Sequence, residues 1–99
     1  MSVPRFEALQ EAFTWRPIRG CPGRYRLSHP TPLSFADLLG LDGPARRCEV
    51  SAARDPVWVA PLEDGAGLIS YEKPGGRFVH TLNTPEGFQR KLAQLGIPS

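Results

Sequence analysis

The chain has 99 residues and a formal net charge of +2 at pH 7, which fits one small domain with a modest core of its own. A hydrophobic fraction of 40% and a charged fraction of 22% are ordinary for a globular protein, and the 10 Gly and 11 Pro predict many turns. So small a net charge gives little bulk attraction to nucleic acid, and no apolar run is long enough to span a membrane.

The first predicted element is a helix over residues 3–13. Ser2 can cap this helix, and Pro4 is tolerated in its first turn. Three apolar side chains fall near one face at helical spacing, namely Phe6, Leu9 and Phe13. Beyond the helix, the Pro and Gly residues between positions 17 and 23 predict irregular chain.

Short strands dominate the middle of the chain. A strand is predicted at 24–28, where apolar and polar residues alternate, and a second short helix is predicted at 34–40, with Ser34 at its start. Four strands are predicted after this helix, at 47–52, 57–62, 67–72 and 77–82. Turn signals at 63–66 and 73–76 join the last three strands as two consecutive hairpins.

The C-terminal helix has the clearest boundaries. Thr84 is a good N-cap, Pro85 suits the first helical position, and Gly96 can end the helix. Its apolar face consists of Phe88, Leu92 and Leu95.

Together these elements predict a single α+β domain over residues 1–99. It is an antiparallel meander of four to five strands packed on the C-terminal helix, with one or two short N-terminal helices.

Symmetric four-residue loops would place three aromatic residues in one row on the sheet, namely Trp58, Tyr71 and Phe78. His80 would lie on the same face. An exposed row of this kind is a platform on which the bases of single-stranded nucleic acid stack. Alternatively, the row belongs to the core. We favour the core interpretation, because the C-terminal helix needs an apolar surface on which to pack.

The main catalytic hypothesis centres on Cys21. Neighbouring arginines could activate this thiol, and His29 or His80 could act as its base. No recognised cysteine-enzyme pattern surrounds Cys21, so a structural thiol is the favoured interpretation. Together with Cys48, these residues form the full set of soft zinc ligands in the chain, but their spacing matches no common site. We therefore expect no metal and no cofactor.

The most distinctive feature is the stretch from residue 12 to residue 36, which holds four arginines and no Asp or Glu. Charge that no neighbouring acid cancels can attract an acidic partner, and Trp, Tyr and Arg dominate binding hot spots. The candidate binding residues are Trp15, Arg16, Arg19, Arg24, Tyr25 and Arg26. In the competing interpretation, Trp15 and Ile18 cover the edge of the sheet, and the arginines are solvated or paired with acids at positions 7, 11 and 37. The excess of Arg over Lys would then reflect the base composition of the gene.

The sequence thus favours a non-catalytic protein-interaction module that binds an acidic protein surface through residues 15–26. Because ten acids are spread over the chain, nucleic acid is the second choice of partner for the same arginines. A small enzyme or enzyme subunit built on Cys21 and a histidine is the third hypothesis.

We expect a cytoplasmic protein, since two cysteines are too few for a disulfide framework and no signal-like apolar run opens the chain. Nothing in the sequence indicates an oligomeric state.

Overall fold

The computed structural model of the chain describes residues 4–28, 46–48, 56–75 and 77–97. These residues form two helices and six strands. The helices are α1 (Phe6–Ala12) and α2 (Pro85–Leu95), and the strands are β1 (Trp15–Pro17), β2 (Arg24–Leu27), β3 (Arg46–Cys48), β4 (Val57–Pro61), β5 (Gly67–Lys73) and β6 (Arg77–Asn83).

The strands form one antiparallel sheet in the order β1-β2-β6-β5-β4-β3. Strands β3 to β6 follow one another as a meander, and the β1–β2 hairpin joins this meander where β2 pairs with β6. The predicted α+β class, with an antiparallel sheet, a C-terminal helix and an N-terminal helix, is confirmed. The sheet has one strand more than the upper prediction, because residues 15–17 pair with β2. The helix predicted at 34–40 lies outside the described residues.

The predicted strand pairing in the two hairpins is wrong by one residue. Tyr71 lies opposite Val79, and Trp58 lies opposite Ser70. Because side chains alternate between the two faces of a sheet, Tyr71 lies on one face and Trp58 lies on the other, together with Phe78. The predicted aromatic row, and the nucleic-acid platform that it would provide, are therefore not formed.

The lengths of the two loops explain this difference. The β4–β5 loop spans residues 62–66 and the β5–β6 loop spans residues 74–76, so they contain odd numbers of residues instead of four. Each loop includes a glycine in the left-handed region, Gly65 at φ 87° and Gly75 at φ 86°. Glycine adopts this conformation without strain, which allows an odd-length loop to return the chain in register.

Helix α2 covers one face of the sheet, which we name the α2 face. Phe88 and Leu92 of the helix, together with Ile97 just beyond it, are buried against β4 and β5. Their partners on the sheet are Val57, Val59 and Ile69. This packing is the predicted role of the helix, although it covers the opposite side of the sheet from Trp58.

Both ends of α2 have the predicted caps. The Thr84 hydroxyl accepts a hydrogen bond from the Gly87 amide (3.2 Å), which satisfies a donor of the first turn. Gly96 has a left-handed φ of 73° at the other end. The Ile97 amide then donates to the Leu92 carbonyl (2.9 Å), so the chain folds back and buries Ile97 on the last turn.

Helix α1 covers the opposite face, which we name the α1 face. Its buried residue is Leu9, which packs in a second apolar cluster with Ala60, Leu62, Ala66, Leu68 and Leu82. The Phe6 amide donates to the Asp64 carboxylate (3.1 Å), so the start of the helix is tied to the β4–β5 loop. A helix therefore lies on each side of the sheet.

Gly67 provides a test of the packing on the α2 face. A Cβ atom at this position would overlap the ring of Phe88, which is itself buried. We expect Gly67→Ala to lower the free energy of unfolding by about 1–3 kcal/mol, because the core must shift to accept it. Denaturant titration measures this effect. The same substitution in a Phe88→Leu background should cost less, and an equal cost in both backgrounds would contradict the contact.

Candidate anion-binding cleft

A cleft with a volume of about 480 Å³ opens on the α2 face, and it is lined by residues of β1, β2, β5 and β6 and of the turn after β1. Four of its lining residues are arginines, two carry hydroxyl groups and three are apolar. They are Arg16, Arg19, Arg24 and Arg26, then Tyr71 and Thr81, then Pro17, Ile18 and Val79. We name it the arginine cleft. No carboxylate is among its described lining residues.

Strand pairing brings three of these arginines together. Arg16 of β1 lies directly opposite Arg26 of β2, and Arg26 lies opposite Thr81 of β6. Arg24 is two residues before Arg26, so both side chains lie on the α2 face. Arg19 follows in the turn after β1 and completes the rim. The strand pairing therefore brings the arginines of this sequence stretch to one surface.

The Arg16–Arg26 pair is unfavourable for the sheet itself. Both side chains are exposed, and like charges directly opposite each other on neighbouring strands destabilise a sheet. An anion placed between these two guanidinium groups would remove the repulsion. This arrangement therefore favours a negatively charged ligand.

Arg24 differs from the other three arginines because it is buried, with 9% of its surface exposed. Its Nε donates to the Asn83 side-chain carbonyl (2.7 Å). Its Nη2 donates to the Tyr71 hydroxyl (3.3 Å) and to the Thr81 hydroxyl (3.4 Å). All three partners are neutral, whereas a buried charge is normally paired with an opposite charge. The positive charge of Arg24 is therefore not balanced by these three partners, and an anionic ligand would balance it.

A second layer of hydrogen bonds fixes the groups that hold Arg24. The Thr81 hydroxyl donates to the Ile69 carbonyl (2.6 Å). The Asn83 amide nitrogen donates to the carbonyls of Gly67 and Thr81 (both 3.1 Å). Because Thr81 and Asn83 are buried on β6, the guanidinium of Arg24 has little freedom to reorient.

The loop between β1 and β2 is anchored to the start of α2. The Thr84 amide donates to the Gly23 carbonyl (2.9 Å), and Gly23 has a positive φ of 77°. A Cβ atom at Gly87 would lie 2.6 Å from the same carbonyl oxygen. Arg90 donates from the next turn of the helix to the Pro22 carbonyl (3.3 Å). These close approaches need glycine on both sides, and they set the position at which β2 and Arg24 begin.

The two aromatic candidates lie on the other side of the sheet. Trp15 donates from its indole nitrogen to the Leu9 carbonyl (2.8 Å), and the Tyr25 ring contacts the Phe6 ring edge to face at 6.1 Å. Both side chains therefore help to attach α1 to the sheet. Residues 15 and 25 alternate with residues 16, 24 and 26 along their strands, so Trp15 and Tyr25 lie on the other face of the sheet from these three arginines. The binding role of the six residues stays a prediction.

The structure also separates the residues of the catalytic hypothesis. Cys21 is half-buried in the β1–β2 loop, beside a small space of about 60 Å³ that Arg90 and Lys91 of α2 also line. His80 is buried on the α1 face, where its Nδ1 lies 2.6 Å from the Ser70 hydroxyl and its ring stacks on Phe78 at 5.5 Å. Cys21 and His80 are therefore not paired as nucleophile and base.

The catalytic and zinc-site hypotheses also involve His29 and Cys48. His29 lies outside the described residues, and Cys48 is a half-buried free thiol that packs with the core of the α2 face. Within the described ranges, no three His, Cys, Asp or Glu side chains come together as a metal site.

Sequence reasoning missed the three residues that orient Arg24. The sequence pattern predicts Tyr71 in an aromatic row and indicates no role for Thr81 or Asn83. A signal was present, because Thr81 and Asn83 are polar residues two positions apart in a strand that is otherwise suited to burial. Polar side chains at that spacing lie on one face, and when buried they need hydrogen-bond partners.

Comparisons of the chain with known protein families, with curated proteins and with solved structures found no significant match. In the described part of the chain, neither helix is long and apolar enough to cross a bilayer.

The repulsion between Arg16 and Arg26 can be measured. Arg16→Glu replaces a like-charge pair by an opposite-charge pair, so we expect it to raise the free energy of unfolding by about 0.2–1 kcal/mol at low salt. Arg16→Gln, which removes the repulsion without adding an attraction, should give an intermediate value. Chemical denaturation of the two variants and the wild type checks this order. A loss of stability in Arg16→Glu would contradict it.

Proposed function

We propose that this protein is a non-catalytic interaction module that binds an acidic segment of a partner protein in the arginine cleft. The observation that carries the proposal is a concave surface lined by four arginines with no carboxylate among its described lining residues. Arginine is suited to carboxylate recognition because its planar guanidinium donates two parallel hydrogen bonds. Ile18 and Val79 add apolar surface for the neighbouring part of the bound segment.

A protein partner is favoured over nucleic acid for two reasons. The ten acids elsewhere in the chain leave a net charge of only +2, which gives little long-range attraction to a phosphate backbone. In addition, Tyr71 lies on the opposite face from Trp58, so the aromatic platform that would stack bases is missing.

An enzymatic function has less support than either kind of binding. Cys21 lies in the β1–β2 loop beside α2, whereas His80 is buried on the α1 face, where it already has a hydrogen-bond partner in Ser70. A cytoplasmic location accompanies the proposal, because both cysteines are free thiols.

The direct test is fluorescence polarisation with a labelled oligoglutamate peptide whose two ends are blocked. We expect the wild type to bind this peptide and to ignore an oligoglutamine peptide of equal length. The double variant Arg16→Glu/Arg26→Glu should lose about tenfold or more in affinity, because two cleft charges are reversed. The control Arg5→Glu/Arg77→Glu changes the net charge equally at exposed positions outside the cleft and should lose far less.

Three outcomes would overturn the proposal. The first is a failure of oligoglutamate to bind the wild type. The second is an equal loss of affinity in the two double variants, which would indicate a net-charge effect. A single-stranded oligonucleotide that binds more tightly than the peptide, with an affinity that falls steeply with salt, would move nucleic acid to first place.

A further inference from the structure

Arg24 and the three exposed arginines of the cleft differ in the conformational freedom of their side chains. Arg16, Arg19 and Arg26 are exposed, so each must lose side-chain entropy when it contacts a ligand. Arg24 has already lost that entropy, because its guanidinium is buried and held by three hydrogen bonds. A contact with Arg24 therefore has a lower ordering cost and a fixed direction.

The donors of Arg24 are only partly used. A guanidinium carries five N–H groups, and the hydrogen bonds above engage Nε and Nη2. Nη1 has no hydrogen-bond partner among the described residues. No buried side-chain nitrogen or oxygen in these residues lacks a partner, so Nη1 is reached by solvent. Arg24 lines the arginine cleft and also two spaces beside the β1–β2 loop, and its Nη2 edge lies against Tyr71 and Thr81, which line the cleft as well. The guanidinium therefore keeps N–H donors that a ligand at this end of the α2 face can reach.

The hydroxyl of Tyr71 supplies a further donor at the same place. It accepts a hydrogen bond from Arg24 Nη2, which leaves its own hydrogen free to donate, and Tyr71 also lines the cleft. The Thr81 hydroxyl cannot do the same, because its hydrogen is directed to the Ile69 carbonyl. The guanidinium and the phenol can thus each donate a hydrogen bond to an oxygen of one anionic group.

We propose that Arg24 and Tyr71 form a specific seat for a single carboxylate, and that the three exposed arginines supply attraction without fixed geometry. This inference rests on the proposed function. Arg24 supplies one buried positive charge, and the Tyr71 hydroxyl is a neutral donor. The single negative charge of a carboxylate matches this pair better than the double charge of a phosphate. The carboxylate could belong to an Asp or Glu side chain or to the end of a chain, and the experiment separates these sources.

The test compares substitutions that keep the charge and change the geometry. Arg24→Lys removes the planar guanidinium and retains the positive charge, and we expect it to weaken binding of the blocked oligoglutamate peptide about tenfold. Arg26→Lys, the matched variant on the same strand, should weaken binding by about twofold at most. Tyr71→Phe, which removes only the hydroxyl, should weaken binding about fivefold.

The salt dependence separates a specific seat from a general loss of the fold. Arg24→Lys retains every charge, so the slope of log Kd against log salt should match the wild type while the affinity is lower at each salt concentration. Arg16→Glu/Arg26→Glu should reduce that slope. Thermal unfolding establishes that the variants are folded. If Arg24→Lys is not, Tyr71→Phe and the shift of the Arg24 Nε–H NMR signal on peptide addition carry the test.

Peptides of different chemistry identify the source of the carboxylate. A peptide with one internal Glu and an amidated end should respond to Arg24→Lys if a side chain occupies the seat. A peptide with no acidic side chain and a free C-terminus should respond if a chain end does. Equal effects of Arg24→Lys and Arg26→Lys would overturn the seat, and so would preference of the Arg24 site for a phosphoserine peptide. Failure of the wild type to bind any of these peptides would overturn the proposed function itself.

Discussion

The architecture of this protein depends on how the sheet accommodates the buried cation of Arg24. The side chain crosses the α2 face from β2 and makes hydrogen bonds to residues of β5 and β6. It thereby links the β1–β2 hairpin to the meander at the junction where the sheet order leaves the chain order. Because a buried guanidinium without partners is very unfavourable, Asn83, Thr81 and Tyr71 must all be in place, and the docking of Gly23 on the start of α2 sets where β2 begins.

Because side chains alternate along a strand, the two faces of the sheet carry different kinds of residue. On β6, Leu82 points into the apolar cluster under α1, whereas Thr81 and Asn83 point to Arg24 on the α2 face. The α2 face is itself divided. Its β4 side is apolar and covered by α2, and its β2 side is polar and open as the arginine cleft. A single sheet therefore builds both the core and the candidate binding surface.

The boundaries of α2 could be predicted because its signals are local, as with Thr84 at its start and Gly96 at its end. The strand pairing could not be predicted, because it depends on whether a loop has an odd or even number of residues. A difference of one residue placed Tyr71 on the opposite face of the sheet from Trp58. The arginine stretch was visible in the sequence. The burial of Arg24 was not, because its partner Asn83 lies 59 residues away and local composition contains no information on that pairing.

A coding bias would account for the number of arginines in the chain, but it would not account for where they lie. Two features of the cleft are unfavourable for stability alone, namely the cross-strand pair Arg16–Arg26 and a buried guanidinium with only neutral partners. A carboxylate at position 16 or an apolar residue at position 24 would relieve one or the other. A solvated, arginine-biased loop would show neither feature, since its side chains would be free to separate and to remain in water. Both are understandable if an anion completes the surface, because the ligand supplies the negative charge that the sheet omits.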